Sequence, residues 1–290
     1  MDIRFLQSFV TVVDSGSIAD AARRLDLAPT TVAQQMRALE ADVGSQLLMR
    51  VGRTVKPTVI GARIVDQARV LIRGERELRS AASETGLPAG PLRLGATPTA
   101  LMGLLPPLMR HWIHAHPTIQ IYIEPGTSSA LLEHVMGGSL DAAILVHPAF
   151  DLPKTCNWSL IRVERLILLT SSRHQVEDPL LVAAREPFIQ YDRKVVAGKL
   201  GDDYLRRHDI RPKVQFELDG IEHIAQLVAE GFGVSILPDW PIIGPQDTRV
   251  KRWALPEPCP ERSVGMVWLR NSMRSPLAEA FLAQIEGSAR

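Results

Sequence analysis

Residues 17–40 read SIADAARRLDLAPTTVAQQMRALE, and this stretch decides the fold of the N-terminal third. Ser17 suits the N-cap of a helix from Ile18 to Leu25, and the Ala21-Ala22 pair allows close helix packing. Asp26-Leu27-Ala28 make a tight turn. Pro29 fits the first position of the next helix, where its missing N–H is not needed. Val32, Met36 and Leu39 then continue one apolar face to Val43-Gly44. Two short helices joined by such a turn form a helix-turn-helix pattern. Upstream, Phe5, Leu6, Phe9, Val10 and Val13 recur at helical spacing until Gly16 stops the helix. Downstream, Gln46 to Arg50 and Thr54 to Pro57 read as two short strands joined through Val51-Gly52-Arg53, a small wing. No acidic residue lies between Asp42 and Asp66, whereas Arg50, Arg53, Lys56 and Arg63 do, so the wing carries a local basic patch.

The global composition conceals that patch. The 290 residues amount to about two domains at ~150 residues each. With 46% apolar and 22% charged residues, the chain falls outside the disordered, collagen-like and disulfide-scaffold classes. A formal net charge of +1 leaves any nucleic-acid role to local clustering. Cys156 and Cys259 stand far apart without CxxC spacing, which suggests neither a disulfide framework nor a thiolate metal site and fits a reducing compartment. Asp2 and Arg4 interrupt the N-terminal apolar pattern, so it does not read as a signal peptide. No run approaches the ~20 apolar residues of a membrane span. A cytoplasmic protein without a membrane partner is expected.

Thr58 opens a long helix running to about Glu84. Ile64, Ala68, Leu71, Glu75, Leu78 and Ala82 step by alternating fours and threes, a heptad seam broken only by Glu75. Such a rod extends about 40 Å at 1.5 Å per residue, and its stripe calls for a second copy. Gly86-Leu87-Pro88-Ala89-Gly90-Pro91 then reads as a hinge.

From Pro91 the pattern becomes strand-helix alternation. The expected strands are Leu92 to Ala96, Ile119 to Glu124, Ala142 to Val146, Val163 to Thr170, Phe188 to Tyr191, Val214 to Leu218, Val234 to Leu237 and Val264 to Leu269. Helices are expected over Ala100 to His114, Ala130 to Met136, Ile221 to Glu230 and Pro276 to Ile285. This predicts α/β architecture with mostly parallel sheets in two lobes, with ligands at the carboxyl ends of strands.

Several segments together resemble the LysR-type transcriptional regulators: Ser17 to Leu25 with Val32 to Glu40, Leu47-Leu48-x-Arg50, and Lys56-Pro57-Thr58-x-x-Gly61. The likeness continues through Gly90 to Gly95, Leu105-Pro106, Gly138 to Ile144 and Val228 to Pro238, so it covers nearly the whole chain. The resemblance implies an α/β protein with an N-terminal all-α winged helix-turn-helix, a long linker helix and a two-lobed α/β effector domain similar to type 2 periplasmic binding proteins. It places the DNA-binding domain at 1–57, the dimerisation helix at 58–86, a hinge at 87–90 and the effector domain at 91–290. Lobe I would take about 91–162 and 265–290, and lobe II about 163–264. Promoter DNA, a small-molecule effector, a second copy in a homodimer or homotetramer, and RNA polymerase are the implied partners.

The N-terminal residues of a recognition helix lie nearest the base edges. Thr30, Thr31, Gln34 and Arg37 are therefore candidate contacts, with Gln34 suited to adenine and Arg37 to guanine or phosphate. Ser17 joins them at the start of the preceding helix, while Arg50, Arg53 and Lys56 would place the wing on the backbone. Where the family usually opens this helix with Ser-Gln-Pro, this chain has Ala28-Pro29-Thr30, and the usual Ser-Arg is Ala33-Gln34. The reading of bases is expected to differ accordingly.

Thr97-Pro98-Thr99-Ala100 follows one strand, and Gly126-Thr127-Ser128-Ser129 follows another. Each gathers hydroxyls and free N–H groups at a helix start, which favours an anion. Thr97, Thr99, Ala100, Thr127 and Ser128, with His147, Gln190 and Tyr191, are the candidate effector residues, and a small organic acid is the expected ligand. His111, His114 and His116 lack a completing carboxylate or cysteine, so no metal is expected. No nucleophile elbow, Walker loop or HExxH occurs, and neither an enzyme nor a cofactor is expected. The alternative is a redox-sensing regulator that uses Cys156 and Cys259.

Overall fold

The computed structural model describes residues 1–81, 87–88, 90–240 and 248–288. Its N-terminal unit holds α1 (Ile3–Ser15), α2 (Ile18–Leu25) and α3 (Pro29–Val43), followed by the wing strands β1 (Leu48–Val51) and β2 (Thr54–Pro57). Asp2 caps α1 and Ser17 caps α2 through side-chain oxygens, as expected of short polar residues that meet orphan N–H groups. Leu6, Phe9, Val12, Ala21, Ala22, Val32, Met36 and Leu39 close the small core. The wing begins two residues later than the pattern suggested. Glu40 Oε1 accepts the N–H groups of Leu47 (2.8 Å) and Leu48 (3.2 Å), which ties the approach to β1 onto α3.

Thr58 opens α4 (Val59–Ala81), donating its hydroxyl to Gln46 O and accepting Gly61 N. A Cβ at Gly61 would stand 2.1 Å from Leu47 O, so only glycine lets the helix approach the wing this closely. The stripe on α4 is divided. Ile64 and Ala68 of the seam pack into the N-terminal core, joined by Val65 and Ile72 from the neighbouring line, whereas Leu71 and Leu78 of the seam remain 48% and 74% exposed. Residues 82–86, with Ala82 of the heptad and the end of the expected linker, and Ala89 of the hinge lie outside the described residues.

The first lobe of the C-terminal region is one sheet built of β3 (Leu92–Ala96), β4 (Ile121–Pro125), β5 (Ala142–Val146), the first part of β6 (Cys156–Ser171) and a late strand, Glu261–Leu269. Helices α5 (Pro98–Gly103), α6 (Leu105–Ala115) and the C-terminal Ser275–Ser288 cover one face, and α7 (Ser128–Met136) covers the other. The second lobe contains α8 (Pro179–Arg185), β7 (Pro187–Tyr191), α9 (Val196–Arg207), β8 (Lys213–Leu218), α10 (Ile221–Ala229), β9 (Ser235–Pro238) and β10 (Val250–Ala254) around the second part of β6. The late strand and the C-terminal helix are β11 and α11.

Three expectations need correction. The sheets are mixed. β3 pairs β4 and β5 in parallel and β7 pairs β8 in parallel, but every pairing of β6 and β11 is antiparallel. The single helix from Ala100 to His114 is two helices broken at Leu104, because Pro106 and Pro107 lack N–H groups and can only sit in a first turn. The elements Pro179–Arg185, Val196–Arg207 and Val250–Ala254 stand outside the expected set of strands and helices.

Candidate DNA interface and effector cleft

Helix α3 presents two stripes with the same spacing. Val32, Met36 and Leu39 are buried, and Thr30, Gln34 and Arg37 are exposed on the opposite side. Gln35 turns inward instead and accepts from Ser8 Oγ at 2.5 Å. Ala28 opens the helix with no side-chain cap, so the threonine hydroxyls are not spent on capping. Thr31 is half-buried, and Ser17 is held at the start of α2, where its Oγ accepts from Asp20 N. Arg50, Arg53 and Lys56 are exposed on the hairpin. Val55 N donates to Gly16 O at 2.8 Å, which holds the wing beside the turn between α1 and α2. The result is one face that offers amide, hydroxyl and guanidinium groups from a helix, flanked by cations on a wing.

In the C-terminal region, the loops after β3, β4 and β5 meet. Thr97 N donates to Ile144 O and Gly126 N to Ala96 O, which brings Thr97, Thr99, Thr127, Ser128 and His147 to the same edge. Their polar atoms are largely engaged, Thr97 and Thr99 with each other and the rest mainly with backbone groups. Thr97 Oγ1 lies 3.3 Å from Thr99 Oγ1, Thr127 caps α7 by accepting Ala130 N, and Ser128 Oγ accepts Val146 N. His147 places Nδ1 2.7 Å from Pro148 O and stands edge-on to Trp158. Ala100 is fully buried in the lobe core, so it shapes the wall from behind and offers no surface. Gln190 and Tyr191 end β7 in the other lobe. Gln190 Nε2 donates to Tyr191 O, and burial pushes the Tyr191 phenol up to about 12 despite the nearby Arg262 cation.

The two lobes touch across this edge. Leu104 packs into the second lobe's core, Val196 packs into the first, and Trp240 lies against Gly103. Sequence reasoning missed Arg162, Glu164, Trp240 and Arg262. The available signal was Arg162-Val163-Glu164-Arg165, a charged run at the start of a strand expected to be apolar. These residues sit where β6 and β11 cross between lobes. Arg262 opposes Glu164 across the ladder on the buried face, and Glu261 opposes Arg165 on the exposed face. A register shift at Val264/Gly265 lies just beyond, where a Cβ on Gly265 would stand 2.4 Å from Ser159 O.

The cysteines are not brought together. Cys156 opens β6, whereas Cys259 Sγ donates to Leu166 O ten residues along that strand. At ~3.3 Å per residue the separation is on the order of 30 Å, against roughly 4.4–6.8 Å between bridged Cα atoms, which excludes a disulfide within this fold. Burial raises both thiols, and that makes them less reactive. Among the described residues, no three His, Cys, Asp or Glu side chains converge as metal ligands, and no helix is long and apolar enough to cross a membrane.

A winged helix-turn-helix joined by a long helix to a two-lobed α/β domain is the build of a ligand-responsive transcription regulator. The chain belongs to the LysR family: the LysR substrate binding domain matches residues 85–290, and the bacterial regulatory helix-turn-helix protein, lysR family, matches residues 3–62. It is 27% identical over 291 residues to the HTH-type transcriptional activator IlvY of Salmonella typhimurium, spanning 97% of this chain and 98% of that protein. Its fold is similar to full-length OxyR from Pseudomonas aeruginosa, with a TM-score of 0.70 and 23% identity over 98% of this chain and 94% of that one. It is also similar to full-length CbnR solved with its target DNA, with a TM-score of 0.65 and 20% identity over 99% and 100%.

Proposed function

We propose that this protein binds promoter DNA as a homodimer or homotetramer, reading bases with Thr30, Thr31, Gln34 and Arg37 and gripping the backbone with Arg50, Arg53 and Lys56. A small organic acid bound between the lobes would shift the arrangement of the paired DNA-binding units, with RNA polymerase as the downstream partner. The observation that carries the reading is the exposed Thr30, Gln34 and Arg37 stripe on a helix whose other stripe is core. The target DNA bound by CbnR supports the same use of the N-terminal unit. A ligand acts only through its different affinity for the two arrangements. The redox alternative has nothing comparable in its favour, given the separation of Cys156 and Cys259.

Selection from a random double-stranded library tests the DNA reading. A dyad site should be enriched, with half-sites about one helical turn or a multiple apart. Recovery of sequences with no common element would overturn it.

A further inference from the structure

A hydroxyl inside a helix commonly turns back on its own backbone, and α1 shows both that habit and a departure from it. Thr11 Oγ1 donates to Gln7 O at 2.8 Å and Ser15 Oγ to Thr11 O at 2.7 Å, each four residues back. Ser8 breaks the pattern. Its Oγ leaves the helix and donates to Gln35 Oε1 on α3 at 2.5 Å. Ser8 is 1% exposed and stands with Leu6, Phe9 and Val12 among the buried residues of α1, while Gln35 is half-buried.

The rest of the packing around α3 shows what this tie adds. Val32, Met36 and Leu39 hold the helix by apolar contact, which is non-directional and restrains rotation about the helix axis less sharply than a hydrogen bond does. Towards the C-terminal end, Glu40 Oε1 accepts Leu47 N and Leu48 N, and Asp42 pairs with the Met1 amine. The Ser8 to Gln35 bond instead lies beside the exposed Gln34 and about one turn from Thr31. Rotating a helix by about 20° moves a side-chain tip ~5 Å from its axis by about 2 Å. That exceeds the roughly 0.5 Å range of a good hydrogen bond. Long Arg and Lys side chains on phosphates absorb such a shift, because they respond to charge and not to base edges.

Resting on the DNA reading above, we propose that Ser8 is a positioning residue for base recognition: its bond to Gln35 sets the rotation of α3 and so aims Gln34 at a base edge. Buried as it is, Ser8 makes no DNA contact of its own. The selectivity of the recognition helix therefore depends on a residue of α1, outside the helix-turn-helix stretch. Losing the bond costs discrimination and leaves the charge-based grip intact.

Fluorescence anisotropy of the full-length protein, on the library-selected site and on a scrambled duplex, tests this. Ser8→Ala should bind the selected site about tenfold more weakly and the scrambled duplex as wild type does. Its salt dependence on both should be unchanged. Gln35→Leu removes the acceptor and should act alike, and the double variant should lose no more than either single one, as a shared bond requires. Gln35→Glu keeps an acceptor for the hydroxyl, so it should retain the ratio of the two affinities while its added negative charge weakens both. Circular dichroism confirms that each variant is folded; if Ser8→Ala is not, the two Gln35 variants carry the test. The positioning role is overturned if Ser8→Ala keeps the wild-type ratio, or if it weakens both duplexes alike, as a general loss of stability would. Additive losses in the double variant, or a Gln35→Glu protein that no longer discriminates, would overturn it as well. If the library yields no common site, the DNA reading falls and the positioning role with it. An enriched site that Ser8→Ala still prefers as wild type does removes only the positioning role.

Discussion

Gln34 and Lys56 illustrate two kinds of contact that a single residue can make. Gln34 is exposed on α3, and a glutamine amide can donate to and accept from one adenine edge. Gln34→Ala should cost about 1–3 kcal/mol on the selected site and relax the preference at one base pair. Lys56 is an exposed cation on the wing. Lys56→Ala should weaken all sequences about equally and reduce the slope of log affinity against log salt by about one. Fluorescence anisotropy across a salt series measures both, and matching profiles for the two variants would contradict the division of roles. Elsewhere, Asp141 shows the cost of removing one half of a buried pair. Its carboxylate accepts Arg274 Nε at 2.7 Å and Arg93 N at 2.9 Å, and Arg274 also donates to Pro91 O. The side chains are 7% and 3% exposed. Asp141→Ala should destabilise by about 3–5 kcal/mol in urea unfolding, because Arg274 stays buried without its counter-ion. The motif Gly138-Ser139-Leu140-Asp141 was visible in the sequence, but its partner lies at the far end of the chain. No local pattern could pair the two.

Helix α4 shows how one element divides its apolar residues between two duties. Ile72, on the line next to the heptad seam, is buried against the N-terminal core, so Ile72→Ala should destabilise by about 2–5 kcal/mol. Leu71 and Leu78 face outward on the adjacent line. Leu71→Glu with Leu78→Glu should leave the melting temperature of the N-terminal unit unchanged and lower the mass in sedimentation velocity. A dimer that survives both changes would place its contacts elsewhere. The heptad was readable because 3.5-residue periodicity is local, but the pattern could not say which half of the stripe the same chain covers. Helix α9 shows the opposite limit. Its Val-Ala-Gly-Lys-Leu-Gly-Asp-Asp run has poor helix propensity, and it is helical because Ala197, Gly198, Gly201, Tyr204 and Leu205 pack against the sheet. Tertiary burial outweighs propensity there.

At the scale of the whole molecule, the N-terminal unit and the first lobe meet along one seam. Arg69 pairs with Asp14 and Asp66, Arg73 lies against Gly138 and reaches Met136 O, and His134 Nδ1 lies 2.5 Å from Glu124 Oε1. Hydrogen bonding to Glu124 raises His134 above its ordinary 6.5, with Asp14 adding to the rise and burial and Arg69 opposing it. Glu124 is lowered from 4.5, first by His134, with Arg24 and Arg93 adding smaller effects. A raised histidine stabilises fully below its unfolded pKa and loses that contribution as pH climbs through the folded one. A lowered carboxylate stabilises above its unfolded pKa and loses the contribution as pH falls. The pair therefore contributes most between about 4.5 and 6.5. His134→Gln should melt below wild type near pH 6, with the gap closing as the pH is raised beyond the folded value. A gap constant across that range would remove the charge argument. The two side chains are partly exposed, so solvent screens the effect and keeps it small.

What the sequence determined by itself was local and periodic: the helix-turn-helix from Ser17 to Leu39, the basic wing, the heptad on α4 and most strands of the C-terminal region. Each rests on spacing within a dozen residues, which a chain expresses before it folds. The tertiary structure alone decided the antiparallel crossing of β6 and β11, the division of the α4 stripe, the distance that keeps Cys156 from Cys259, and the Arg162, Glu164, Arg262 and Trp240 cluster. Those features join residues more than a hundred positions apart in places, where charge and burial have meaning only after the lobes have closed around them.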